Sequence, residues 1–200
     1  MPNTTTVFIP RWEWRTFAPS LSGLRSRIGD VTFEAPRESR ETYVLCLKSS
    51  HNARVRGGTI DLKWRKQADP SGLELWVPVF TSQFPLAAKF MPRIFEAWGI
   101  PVPLLQRPAY TLEQFLGEIV DPDPDLAAVE LTKRREAFVL DGTRCELATI
   151  RAGEVPMESF RLEHEDPSLV MQVLRRLGLD SRRNINYPMG LKAALGLLAA

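Results

Sequence analysis

Polar and apolar residues alternate through most of this chain with the period of a strand, and only a few stretches switch to the period of a helix. From Val7 to Phe17, VFIPRWEWRTF, Arg11, Glu13 and Arg15 alternate with Trp12 and Trp14, which predicts a strand with an aromatic core face and a charged opposite face. Leu21 to Ile28 is a short helix candidate with Ser20 or Ser22 near its start, and Val31 to Ala35 reads as a second strand. Glu41 to Lys48, ETYVLCLK, is dense in β-formers. Strands around 53–56 and 59–66 are joined by Gly57-Gly58, a hairpin signal because both central turn positions need positive φ. Leu73 to Phe80 follows, with Pro78 suggesting an edge position.

The middle changes period. Phe84 to Trp98 reads as helical, with Pro92 near a start or kink and Gly99 as the stop. Thr111 and Gln114 stand at capping-box spacing, and DPDPD at 121–125 is a turn. This stretch, about 84–120, is expected as a helical insertion covering the sheet within a single domain of residues 1–200. Strands resume at Val129 and turn at Asp141-Gly142, and a last strand, Ser159 to Glu165, sends Phe160 and Leu162 to the core and Arg161, Glu163 and Glu165 the other way. Asp166-Pro167 then opens a helix that Gly178 ends, and a terminal helix from Tyr187 docks on the sheet. Short strands joined by turns favour an antiparallel sheet over βαβ units.

Composition narrows the chemistry by exclusion. With 26 basic and 24 acidic residues the net charge is +2, so an anion site has to come from local arrangement. Cys46 and Cys145 lie far apart, and neither has His51 or His164 at zinc-ligand spacing; reduced thiols are expected. The first residues lack a basic segment followed by an apolar one, and no apolar run nears the ~20 residues that span a bilayer, so a cytoplasmic protein without a membrane partner is expected. No Gly-rich phosphate loop and no Ser-His-Asp order is present. Nucleic-acid binding is disfavoured because the tryptophans alternate away from the charges.

The charged faces carry both signs. Arg15, Arg54, Arg56, Lys63, Arg65, Lys133 and Arg135 stand against Glu13, Glu146 and Glu163. An open sheet leaves such faces in water, whereas a sheet closed on itself encloses them in a charged lumen. Arginine and lysine suit phosphate oxygens, and convergent carboxylates suit a hard divalent cation.

In this order the pieces resemble the CYTH, or triphosphate tunnel metalloenzyme, group. The resemblance rests on a charged first strand, a Tyr-containing strand, R-x-R before a glycine turn, a following L-x-K, a late K-x-R, a Glu-bearing strand and a strand ending in Glu. It ends on a terminal segment in which Asn186, Tyr187, Leu191 and Lys192 match. It implies an α+β fold: an antiparallel closed β-barrel of about eight strands with flanking helices, whose tunnel holds a triphosphate. By position it makes Arg54, Arg56, Lys63, Lys133 and Arg135 phosphate ligands and Glu13, Glu146 and Glu163 metal ligands for Mg²⁺ or Mn²⁺ and catalysis. Arg15 joins the phosphate set from the charged first strand, and Arg65 by its face. The implied activity is metal-dependent hydrolysis or phosphoryl transfer on a triphosphate or polyphosphate; the alternative is a binding module of the same fold without metal chemistry.

Two departures bear on that choice. The group's first strand reads E-x-E-x-K, where this chain has Arg11, Glu13 and Arg15, and an aspartate following the Glu-bearing strand is replaced by Thr149 and Ile150. A guanidinium in place of a carboxylate reverses local charge and weakens cation binding more than anion binding. Arg11 directed into the same space as Glu13 would favour the binding module.

Overall fold

A computed structural model describes residues 9–198. The chain forms β1 (Arg11–Ala18), α1 (Ser22–Ile28), β2 (Arg37–Cys46), β3 (Asn52–Arg56), β4 (Thr59–Ala68), β5 (Glu74–Gln83), β6 (Leu86–Ala87), α2 (Met91–Trp98), β7 (Ala109–Tyr110) and α3 (Leu112–Gln114). After α3 the helix continues with π geometry over Phe115–Val120, and β8 (Leu126–Leu140), β9 (Thr143–Ala152), β10 (Val155–His164), α4 (Pro167–Arg176) and α5 (Tyr187–Ala194) complete the order. Eight strands close into an antiparallel barrel in the order β1-β10-β9-β8-β2-β3-β4-β5, with β5 returning to β1. The fold is thus the expected α+β closed barrel with flanking helices.

Turn chemistry places the strands. Gly57 and Gly58, at φ 55° and 71°, make the β3–β4 hairpin, and Asp141 and Gly142, at 48° and 78°, make the β8–β9 hairpin. Thr111 and Gln114 form the reciprocal capping box. Asp166 accepts from the Ser168 amide with Pro167 in the first turn, and Asn186 accepts from Met189 at the start of α5. Two expectations are corrected. Val31 to Ala35 is not a strand; Val31 and Phe33 pack on the core in an extended loop, and β2 begins later, at Arg37. The helix predicted from Phe84 begins only at Met91, after β6 and a 3₁₀ turn over Ala88–Phe90, whereas Pro78, expected near an edge, lies beyond the Glu74–Trp76 stretch of β5 that pairs with β1 and has no ladder partner on that side among the described residues, where its missing donor is tolerated. The first residues of the predicted Val7 strand lie outside the described residues.

Most of the hydrophobic packing is outside the barrel. Val44, Val55, Ile60, Leu62 and Phe80 of β2–β5 pack under Met91, Ile94, Phe95 and Trp98 of α2 and under Phe115 and Ile119. Trp14, Phe138, Cys145, Phe160 and Leu162 pack against α1 and α4 through Leu24, Ile28, Val170, Val173 and Leu174. These covers force the opposite, polar side of each strand inward. The third cluster is at one end of the barrel, where Tyr187 and Leu191 of α5 pack with Tyr43, Leu45, Leu131, Ile150 and Met157. Lys192 is buried there, its ammonium donating to the carbonyls of Cys46 and Ser49. Among the described residues no helix is long and apolar enough to cross a membrane.

The α5 plug is tight at one point. A Cβ added to Gly190 would run into the Phe17 ring. Gly190→Ala is expected to cost about 1–3 kcal/mol, read as a lower urea midpoint with unchanged slope. A midpoint equal to that of the unmodified protein would show that α5 does not press on β1.

Candidate functional site

Register brings the charged residues together. Glu13 pairs with Glu163, Arg15 with Arg161, and Arg161 with Glu146, so these five side chains share the inner face of β1, β10 and β9. On the other wall Tyr43 pairs with Arg54 and Arg54 with Asp61, which puts both, with Lys63, on the same inner side. A central cavity of about 100 Å³ is lined by Glu13, Arg15, Tyr43, Arg54, Asp61, Lys63, Trp76, Lys133, Arg135, Glu146, Arg161 and Tyr187. It sits beside a mouth of about 430 Å³ lined by Arg11, Glu13, Lys63, Arg144, Arg161 and Glu163. At the other end it meets Tyr187, stacked on Tyr43 at 4.8 Å, with the Arg15 guanidinium and the Lys133 ammonium each 4.8 Å from the Tyr187 ring.

Of the residues assigned to phosphate from the sequence, Arg15, Arg54, Lys63, Lys133 and Arg135 line the central cavity. Arg56 stands further out, its side chain 40% exposed and 3.7 Å from Glu41. Arg65 is drawn aside by Glu74 at 2.9 Å and does not line the central cavity. The assigned carboxylates Glu13, Glu146 and Glu163 come together, but around cations. Arg161 is 3.0 Å from Glu163 Oε2, 3.6 Å from Glu146 Oε2 and 3.9 Å from Glu13 Oε2. The Oε1 atoms are held from outside that triangle: Glu13 by Arg15 at 3.2 Å, Glu146 by Lys133 at 3.1 Å, and Glu163 by Arg11 at 3.4 Å and Arg144 at 3.7 Å. All six oxygens therefore face a cationic nitrogen. The expected divalent site does not fit this arrangement: a hard cation needs several oxygens at 2.0–2.6 Å, and a guanidinium fills the space they face. No group of three or more His, Cys, Asp or Glu suited to a metal ion occurs among the described residues.

Burial makes these charges costly and shifts them. Arg15, Lys133 and Glu146 are only 4–5% exposed. Burial pushes the Glu146 carboxyl up, but Arg161, Lys133 and Arg15 outweigh it and hold the group well below the usual carboxylate range. Burial likewise opposes ionisation of Glu13, and Arg15, Arg161 and Lys63 together hold it below its ordinary value. Lys133 moves the other way. Desolvation pushes its ammonium down to about 8, against the pull of Glu146. Lys63 is lowered for the same first reason, with Glu13 opposing.

Cations exceed anions around the cavity. Six cationic side chains line its centre against Glu13, Asp61 and Glu146. Lys63 and Arg135 have no carboxylate within 4.0 Å among the described residues. Buried Arg54 Nε, Arg161 Nε and the Tyr187 hydroxyl have no hydrogen-bond partner there. Two acceptors are also unpaired by hydrogen bonds, Glu41 Oε2 and Glu146 Oε1, but each has a cation at 3.8 Å and 3.1 Å respectively. The uncompensated groups are donors and positive charge, which is what an oxyanion would satisfy.

Sequence reading left four participants unassigned. Glu41, 1% exposed, sits between Arg54 and Arg56. Arg161, which alternation puts on the charged face as one of four arginines able to pair with the glutamates, is outside the phosphate and metal sets yet sits at their centre. Tyr43 and Tyr187 close the inner end. The available signal was parity: Glu41 and Tyr43 are two apart, as are Arg161 and Glu163. A depression of about 500 Å³ outside β2, β8 and β9, near Arg40, Arg134 and Arg151, gathers none of the assigned residues except Lys133.

No protein-family profile and no curated protein matches the chain. Solved structures do. A Pyrococcus horikoshii protein is 18% identical, covering 95% of this chain and 99% of its own, with a TM-score of 0.47. A Hippeastrum protein in which triphosphatase activity is described as dominant is 12% identical over 84% of this chain and 88% of its own, with a TM-score of 0.45. A Pyrococcus furiosus protein is 13% identical over 90% and 94%, with a TM-score of 0.44.

The Lys133 shift carries a pH signature. An anion beside Lys133 favours its charged form and raises its pKa, so the contact contributes fully below about 8, the value without ligand, and is lost as pH climbs from there through the higher value of the bound state. Tripolyphosphate affinity is expected to fall through this window in the unmodified protein. In Lys133→Arg, charged throughout, the fall should be smaller, the ligand's own titration being common to both. Identical pH profiles by calorimetry would remove Lys133 from the anion site.

Proposed function

We propose that the barrel binds a triphosphate or polyphosphate anion in its lumen. The observation that carries this reading is the surplus of positive charge around the central cavity, with Lys63 and Arg135 lacking carboxylate partners among the described residues. A chain of phosphates offers several oxygens per phosphorus to a ring of donors, and Arg54, Lys63, Lys133 and Arg135 approach the cavity from three strands. The blind inner end at Tyr187 orients such a chain with one terminus inward and the rest toward the mouth. Arg11 lines the mouth together with Glu13, the arrangement that favours the binding module over metal-dependent hydrolysis.

Hydrolysis or phosphoryl transfer is the second reading. One observation favours it: Glu13, Glu146 and Glu163 converge on a single point, and a phosphate that drew Arg161 and Arg15 onto its own oxygens would release carboxylates from their present pairs.

Calorimetry with inorganic tripolyphosphate at low salt should show binding that weakens as salt rises. Arg135→Glu and Lys63→Glu should each weaken it about tenfold or more, since each removes a charge-assisted contact and adds a repulsion. No binding at low salt, or binding by both variants as tight as that of the unmodified protein, would overturn the assignment. Phosphate release from a panel of triphosphates with Mg²⁺ or Mn²⁺ decides the second reading. Turnover that disappears in Glu146→Gln establishes it; no release from any triphosphate leaves a binding protein.

A further inference from the structure

Arg161 is not an ordinary partner in a surface pair. Its guanidinium reaches three carboxylates from three strands: Glu163 beside it on β10, Glu146 directly opposite on β9, and Glu13 diagonally opposite on β1. The three oxygens that face it are all Oε2 atoms. The three Oε1 atoms are fixed by other cations: Arg15, Lys133, and the pair Arg11 and Arg144. Each carboxylate is thus held from behind and aims one free oxygen at a shared point. Three carboxylates so arranged repel one another unless a cation stands between them, and here that cation is covalently part of the chain.

We infer that Arg161 serves as a built-in cation in place of a divalent ion, so that the lumen takes its anion free of metal, and that removing the guanidinium converts Glu13, Glu146 and Glu163 into a divalent-cation site. For the identity of its ligand this rests on the proposed anion-binding reading. The physical reasons are charge and geometry. A guanidinium stays protonated at any ordinary pH. It cannot be chelated or exchanged. It also blocks approach, because an ion needs oxygens at 2.0–2.6 Å, whereas these oxygens contact guanidinium nitrogens at 3.0–3.9 Å. The consequence for ligand class is specific: the lumen should select an uncomplexed polyphosphate over its magnesium complex, since the site already supplies the charge the metal would bring.

The test has two arms. In the first, Mn²⁺ is titrated into full-length protein without phosphate, and free ion is followed by its electron paramagnetic resonance signal. Unmodified protein and Arg161→Lys, which keeps a charge, should leave the signal undiminished. Arg161→Gln should take up about one equivalent, at least about tenfold more tightly than the unmodified protein, and adding Glu146→Gln to it should abolish the uptake. Arg161→Met provides a second truncation where Arg161→Gln melts early. Uptake by the unmodified protein, or none by any folded truncation, would overturn the inference. In the second arm, tripolyphosphate binding to the unmodified protein is measured in excess chelator. Binding there supports the inference. Binding that appears only with Mn²⁺ overturns it while sparing the anion site. Binding under neither condition overturns the anion-binding reading itself, and the Mn²⁺ arm still judges Arg161.

Discussion

Charge enclosed in a closed sheet must be compensated within the sheet or by a ligand, and that requirement governs this molecule. With helices covering the outer faces of both halves of the barrel, the apolar side of each strand is committed outward. Alternation then leaves the charged side no place but the lumen. Desolvating each ion costs several kcal/mol, which mutual attraction repays only when every charge has partners in good geometry. Around Glu13, Glu146 and Glu163 every carboxylate oxygen faces a cation; Lys63 and Arg135, without carboxylate partners among the described residues, are left uncompensated. The lumen is therefore neutralised about its glutamates and short of negative charge at those two cations.

Such a network adds little net stability. Buried ion pairs break even or worse against apolar packing of equal volume, so the free energy that holds the barrel closed comes from the external clusters and from α5 at the inner end. What the pairs provide is position. Arg15 is held by Glu13 and by the Ser159 hydroxyl, so a ligand arriving there meets a group already positioned, with less freedom left to lose.

Much of this was legible in the sequence, for identifiable reasons. Where one face of a strand is apolar and the other charged, as in Arg11–Phe17 or Phe160–Glu163, parity alone assigns the inner residues. It fails in β2, where Tyr43, Val44, Leu45 and Cys46 are all buried, because the outer face packs under α2 and the inner face under α5. That stretch shows no alternation to read, and Glu41 and Tyr43 were missed with it. Arg65 was misplaced for another reason: register shifts on both sides of it in the β4–β5 pairing, and the proximity of Glu74, are not encoded in spacing. Convergence of the glutamates was readable from alternation, but what stands between them was not. That depends on which of Arg11, Arg15, Arg144 and Arg161 reaches furthest, a matter of side-chain geometry across strands.

The β1–β10 seam has a consequence for how the chain reaches this state. Arg15 meets Ser159 across 144 positions of sequence, and the same seam brings Glu13 to Arg161. Contacts so remote form late, since loop closure must be met before they reward it. Hairpins such as β3–β4 and β8–β9 are local and can assemble early, yet neither contains both walls of the cavity. No partly folded form of the chain presents the complete ring of charges, so capture of a polyphosphate would report on closure of the whole barrel rather than on any one of its pieces.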